Sequence, residues 1–287
     1  MSRPPLATFE EPMESLAQSF EEHAVTAQAD WLLRRLVQGK VTLPVLPAAA
    51  QKVIGLASDE DASMRDIVDA MKADQSLTSY VLKVANSPLF APISPIVSVQ
   101  QACTRLGSKQ LRDLALMVSM SATFKVDGWE RELAGLFRHA VVSAFFAAEI
   151  ARKRRLNVEE AFLAGLLADV GMSAALPMAV NAKLDRTRTL VVVDRVHTEF
   201  GAMLVKGWAL PRSIELVAKY HHTSDRPEVL VQVVQLADVL TQVVIDGAER
   251  TRVDAHPAIE ALMLYPEDID ALLELAPRAI EAAGAFS

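Results

Sequence analysis

The chain has 287 residues, of which 51% are hydrophobic and only 6% aromatic, so it is long enough to bury a sizeable core. Its net charge of −7 counts against general electrostatic attraction to nucleic acid or to an acidic membrane surface. The single cysteine, Cys103, excludes an internal disulfide and is typical of a reducing, cytoplasmic setting. No uncharged apolar stretch reaches the ~18 residues of a membrane span, so no membrane association is expected.

The N-terminal region is acidic and rich in proline. Residues 1–28 are expected to form a flexible segment, with one short helix near residues 13–24. A second short helix is predicted from Trp31 to Leu36. The prolines that follow predict an extended connector over residues 42–47.

Helix caps divide the next part of the chain. Ser63 and Asp66 resemble a capping box, and Asp74 is a typical N-cap for the helix after it. Ser98 is expected to cap a further helix, which Gly107 should end.

The proline-rich stretch SPLFAPISP, residues 87–95, predicts a rigid loop between these helices. Its apolar side chains Leu89, Phe90 and Ile93 form a candidate interaction surface, because a rigid loop loses little entropy on binding. The alternative is that Leu89 and Phe90 plug the junction between two helical lobes.

Longer and more apolar helices are predicted over 130–155, 158–169, 188–206, 211–222 and 227–246, with two short helices in the tail. No strand pattern of useful length is present. The prediction is therefore an all-α fold, a multi-helix bundle in two lobes. Its segments are a flexible N-terminus (1–28), an N-terminal lobe (29–126), a C-terminal lobe (127–250) and a helical extension (251–287).

Several polar residues interrupt apolar helix faces in the C-terminal lobe. They are His139, Asp169, His197, His221, His222 and Asp238. Singly, such a histidine usually bonds a backbone carbonyl. Together they carry the ligand types of zinc, iron or manganese sites, which bundles build from residues on facing helices.

The order of these residues resembles the HD superfamily of metal-dependent phosphohydrolases, and more closely its HDOD branch. The resemblance spans roughly residues 31–245. It rests on LPVLP (43–47), ADQSLTSYVLKVANSPLF (73–90), VQQACTRLGSKQLRDLAL (99–116), FRHAVVSAFFAAEIA (137–151), AFLAGLLADVG (161–171), HTEFGAMLVKGWALP (197–211) and KYHH (219–222).

The resemblance implies an HDOD domain over 29–250 with an HD-like C-terminal lobe. His139, Asp169 and Asp238 match the first, third and last positions of the HD metal site. His197, His221 and His222 match the extra histidines of two-metal members such as HD-GYP proteins.

Two departures from the HD pattern argue against catalysis. Ala168 stands where the histidine of the His-Asp pair belongs, and no Gly-Tyr-Pro follows His222. Losing one ligand weakens metal binding and the activation of water. We therefore expect no enzyme activity and no cofactor, with a weak or structural divalent metal as the alternative.

The resemblance implies a bacterial signal-transduction module that binds protein partners. Those partners would be GGDEF-, EAL- or HD-GYP-type proteins or chemotaxis components, in cyclic-di-GMP, chemotaxis or motility pathways. The oligomeric state is left open. A residual phosphohydrolase acting on a nucleotide or phosphoester is one alternative, and a nucleic-acid-binding regulator is another.

The alternative functions need anion or ligand contacts, for which five residues are candidates. Arg105, Lys109 and Arg112 lie close in sequence near a helix start, where phosphate could bind. Trp208 and Arg212 flank the GWALP stretch and offer a stacking ring beside a cation. An ordinary solvated face is the favoured explanation for the first three, and a core anchor is the favoured explanation for Trp208.

Overall fold

The computed structural model describes residues 11–59, 61–86, 94–224 and 226–284, in which the protein is all-α. About three quarters of those residues are helical, and no strand occurs among them. The helices are α1 (Glu11–Val37), α2 (Ala48–Ser58), α3 (Met64–Lys72), α4 (Gln75–Ala85), α5 (Val99–Thr123), α6 (Glu130–Lys153), α7 (Val158–Leu167), α8 (Val170–Val180), α9 (Arg186–Gly207), α10 (Arg212–Tyr220), α11 (Val229–Ile245), α12 (Thr251–Asp254), α13 (Ala258–Ala261), α14 (Pro266–Glu274) and α15 (Ala276–Gly284).

The predicted caps are confirmed. Ser63 and Asp66 form a reciprocal capping box at the start of α3. The Asp74 carboxylate accepts from the Leu77 N–H at 2.9 Å at the start of α4. Ser98 caps α5, and Gly107, at φ 78°, breaks that helix into two parts at the predicted position.

Two helices differ from the prediction. Helix α1 is continuous from Glu11, whereas a flexible segment with a short helix was expected over 1–28. It is held against α9, where the Arg195 guanidinium donates to the Thr26 hydroxyl at 2.6 Å. Helix α8 was not predicted, because Pro177 lies in its interior and its apolar residues show no polar face.

Two groups of helices share one apolar core. Helices α2, α3 and α4 pack on α5, while α6 to α11 pack on one another, with α15 lying on α6. Helix α1 packs on α8 and α9. The predicted segment boundaries stay predictions.

Two stretches, Glu130–Lys153 and Val158–Val180, are long and apolar enough to cross a membrane by composition alone. Within an 18-residue window of each stretch, 56% and 67% of the residues respectively are buried inside the protein, which is typical of core helices. The predicted interaction loop with Leu89, Phe90 and Ile93 lies outside the described residues.

Candidate metal centre

The polar residues predicted on apolar faces meet at one place in the C-terminal helices. They come from α6 (His139), the turn between α7 and α8 (Asp169), α9 (His197), the end of α10 (His221, His222) and α11 (Asp238). Close backbone packing brings these elements together. A Cβ atom on Gly165 of α7 would lie 2.8 Å from Cα of Ala144, so α7 lies directly on α6.

Asp169 is shared by two clusters of potential metal ligands. In the first, Asp169 joins His197, His221 and His222, with ligand atoms that all lie within 4.8 Å of one another. His197 and His221 are buried, with 2% and 3% of their surface exposed, whereas His222 is exposed. Asp169 Oδ1 lies 3.1 Å from Nε2 of His221 and 3.5 Å from Nε2 of His197.

Backbone carbonyls fix the tautomers of the two buried histidines. Nδ1 of His197 donates to the carbonyl oxygen of Asp194 at 2.5 Å, and Nδ1 of His221 donates to that of Val217 at 3.0 Å. In the neutral rings both Nε2 atoms are then acceptors, and they face each other at 3.4 Å. Two facing acceptors need a cation or a proton between them. The Nδ1–H bonds to backbone carbonyls are those that metal-ligating histidines usually make with the nitrogen that does not bind the metal. These residues therefore fit a divalent metal.

The second cluster contains His139, Asp169 and Asp238. Here His139 and Asp238 are bonded to each other, with 2.7 Å between Nε2 and Oδ1. The amide of Gln242 donates to the other carboxylate oxygen of Asp238 at 2.9 Å. Ala168, which precedes Asp169, is 3% exposed and contributes only a methyl group.

The bonds between histidine and aspartate in the two clusters shift the pKa values of His139, Asp169 and His221. Burial alone would lower the pKa of His221, but the bond to the Asp169 carboxylate outweighs burial and raises it. The same balance raises the pKa of His139 beside Asp238. Burial would raise the pKa of Asp169, yet the hydrogen bond from His221 and the surrounding imidazoles lower it. Burial and the neighbouring His221 lower the pKa of His222. The Asp169 carboxylate and the His221 imidazole thus each favour the charged form of the other.

A polar cleft of about 310 Å³ opens beside the second cluster. Its lining includes Asp194, Gln242, Asp246 and Arg252, which the sequence analysis did not single out. Gln242 and Asp246 follow Asp238 by four and eight residues, a spacing that puts them on its helix face. The spacing from Asp238 could therefore have identified Gln242 and Asp246 from the sequence alone.

The predicted anion and ligand contacts do not join this centre. Arg105 and Lys109 are exposed on α5, and Arg112 is bound to Asp113 at 2.8 Å. None of the five lines either of the two cavities described here.

The remaining two contacts have local partners. The indole N–H of Trp208 donates to the carbonyl oxygen of Pro44 at 3.2 Å and so anchors the extended connector. Arg212 is 75% exposed and pairs with Glu215 on the same helix.

The family profile of the HDOD domain matches residues 43–224. The chain belongs to the HDOD domain family. The HDOD resemblance seen in the sequence is thereby confirmed.

Solved structures share the fold. A Geobacter sulfurreducens HDOD domain protein of unknown function is 24% identical, with a TM-score of 0.68 over 92% of this chain and 97% of that one. A Shewanella amazonensis SB2B protein, named provisionally as a metal-dependent phosphohydrolase, is 19% identical, with a TM-score of 0.75 over 92% of this chain and all of that one. A Marinobacter aquaeolei VT8 protein, named provisionally for signal transduction, is 21% identical, with a TM-score of 0.62 over 92% of this chain and 66% of that one.

A curated relative, an uncharacterized protein of Treponema pallidum (strain Nichols), is 24% identical over 194 residues. The match covers 63% of this chain but only 37% of that relative. The chain therefore spans little more than a third of the relative's length.

Proposed function

We propose that this chain is a non-catalytic signal-transduction module of the bacterial cytoplasm that acts by binding protein partners. The observation that carries the proposal is Ala168. An HD phosphohydrolase needs a complete ligand set to hold a metal and activate water, and an alanine methyl group ligates nothing. His139 and Asp238 instead satisfy each other through a direct 2.7 Å bond.

The cluster of Asp169, His197, His221 and His222 supports a structural role for any bound ion. Four protein ligands complete the tetrahedral coordination of zinc, whereas catalytic zinc sites keep one position for water or substrate. A bound divalent ion would supply a cross-link between the α7–α8 turn, α9 and α10. The four residues then act as a rigid centre from which partner-binding surfaces are held in place.

Family membership and the signal-transduction name of the Marinobacter neighbour support signalling partners for this module. We infer GGDEF-, EAL- or HD-GYP-type proteins or chemotaxis components as the partner class. A two-hybrid screen of the full chain against these classes from the same bacterium tests the inference. Reproducible pairing with at least one class is expected, and the absence of any pairing contradicts it.

The residual phosphohydrolase remains the second candidate, because Asp169 belongs to both ligand clusters and the polar cleft is open beside them. Hydrolysis of bis(p-nitrophenyl) phosphate, with and without added Mn²⁺, separates the two functions. The purified full chain and its Asp169→Ala variant are compared, and their metal content is measured by inductively coupled plasma mass spectrometry. Non-catalytic function predicts the same background rate for both proteins. If the native chain hydrolyses the substrate and the Asp169→Ala variant does not, the proposal of a non-catalytic function is wrong.

A further inference from the structure

A second cavity, which we call the linker cavity, lies where α5 leads into α6. Its volume is about 470 Å³, within the range of small-molecule sites. Its walls come from the end of α5, the linker after it, α6, α8 and the last helix, α15. A molecule bound there would therefore contact the linker and four separate helices.

The interior of the linker cavity is mainly apolar. Met120, Phe124 and Val170 are buried residues of its wall, and Leu133 and Phe137 add half-buried side chains. The two phenylalanines offer aromatic surfaces to a planar ligand. An apolar body is thus the favoured part of any ligand.

Two cations line the same cavity. Lys125 and Arg138 are exposed, and in the described part of the chain neither has an ion pair or side-chain hydrogen bond. Three carboxylates also line it, Asp127, Glu130 and Asp169. Glu130 accepts the backbone N–H of Gly128 at 2.9 Å, and Asp169 is bonded to Nε2 of His221 at 3.1 Å, so both of these carboxylates have partners.

Among the described residues, the charged lining groups without a partner are thus two cations, Lys125 and Arg138, and one carboxylate, Asp127. Leu136 and Asp169 line both the linker cavity and the polar cleft of the metal centre, so the two spaces are neighbours. A ligand in the linker cavity would lie against the turn that carries Asp169.

We propose that the linker cavity binds a small organic anion with a flat apolar body, whose negative charge lies at Lys125 and Arg138. The apolar body packs against Phe124 and Phe137, and the ligand bridges the linker, α6, α8 and α15. This site would give the module a chemical input. It does not depend on whether the metal centre is catalytic.

The test uses 1-anilinonaphthalene-8-sulfonate, an aromatic anion that fluoresces on binding, and its uncharged counterpart N-phenyl-1-naphthylamine. The native full chain is expected to bind the sulfonate at one saturable site. Arg138→Ala and Lys125→Ala are each expected to weaken sulfonate binding about threefold, the scale of an exposed charge pair. Arg131→Ala, which removes an exposed cation of α6 outside the cavity, is the matched control and should change nothing. Binding of the uncharged probe should be the same in all three variants.

Filling the cavity should abolish binding of both probes. Ala134 is an exposed residue of the wall, so Ala134→Phe adds volume without invading the core, and Ser173→Met fills from the α8 side. Circular dichroism and cooperative thermal unfolding are recorded for each variant, because the sulfonate also binds partly folded chains.

Three results would overturn the proposal. They are non-saturable binding of the sulfonate by the native chain, unchanged binding in both folded cavity-filling variants, and equal affinity of Arg138→Ala, Lys125→Ala and the native chain. The last result would leave an apolar cavity that does not select an anion.

Discussion

Gly171 of α8 lies against the backbone of His197 in α9, so closely that a Cβ atom on residue 171 would be 1.9 Å from the His197 carbonyl oxygen. The same Cβ atom would lie 2.5 Å from the backbone nitrogen of Gly201. Because Gly171 follows Asp169 by only two residues, this backbone contact sets how near the carboxylate comes to the imidazole of His197. The geometry of the centre thus depends on a residue that has no side chain.

Gly171→Ala is expected to lower the free energy of unfolding by about 3 kcal/mol, because the methyl group meets backbone atoms that have no rotamer by which to move away. Urea denaturation followed by circular dichroism measures the change. Gly55→Ala is the control, since Gly55 is an exposed residue of α2 with open space around its Cβ position. There the same substitution should raise stability by about 1 kcal/mol through helix propensity. Equal effects of the two substitutions would show that α8 and α9 do not touch as described.

Stability should depend on pH through Asp113. Its carboxyl group is almost fully buried on α5, and burial raises its pKa to about 6, against the opposing effect of Arg112. Because the pKa in the folded chain lies above the ordinary value of 3.8, the ionised form is the one that the fold disfavours. The part of the unfolding free energy that depends on a protonated Asp113 is fully present below pH ~4. It is lost as the pH rises through ~6, and the total loss is about 2–3 kcal/mol.

Asp113→Asn should remove that dependence. The difference in unfolding free energy between native chain and variant is expected to fall by about 2–3 kcal/mol from pH 4 to pH 7. Asp69→Asn, which removes an exposed carboxylate of α3, serves as the control. If both variants give the same pH profile, Asp113 is not desolvated in the fold.

Ala209 ends α9 in a left-handed conformation, with φ at 54°. The next N–H, of Leu210, donates back to the carbonyl oxygen of Val205 at 3.2 Å, as in a Schellman cap. A side chain at such a position is strained, whereas glycine is not. Ala209→Gly should therefore raise the free energy of unfolding by about 1 kcal/mol. At Ala134, which is exposed inside α6, the same change should lower it by about 1 kcal/mol, and thermal unfolding of both variants checks the opposite signs.

Local features of the fold were predictable, because they depend on residues close in sequence. The caps at Ser63, Asp74 and Ser98 each involve a side chain and a backbone N–H three residues ahead. Gly107 ends its helix segment for an equally local reason, its positive φ. Two short helices were predicted inside α1, but not their continuity, because α1 packs on α9, which is about 170 residues away in the chain.

The site was predictable in composition but not in pairing. Histidines and aspartates on apolar faces stand out in the sequence because burying them is costly. That Asp169 bonds His221, while Asp238 bonds His139, depends on how four helices and a turn approach one another. No spacing rule gives those distances. The linker cavity depends likewise on α15 lying on α6, a contact between the end of the chain and its middle.

Ala168→His should increase the metal content of the chain. Residue 168 precedes Asp169 and is almost fully buried, so a new imidazole there would join the cluster of His139, Asp169 and Asp238 as its missing ligand. Metal per chain is measured by inductively coupled plasma mass spectrometry after incubation with Mn²⁺, Fe²⁺ or Zn²⁺ and removal of free ions. Ala168→Gln is the matched control, because it adds similar volume without an imidazole. If the native chain, Ala168→Gln and Ala168→His hold the same amount of metal, then Ala168 is not what limits metal binding at this cluster, and the case against catalysis loses its main support.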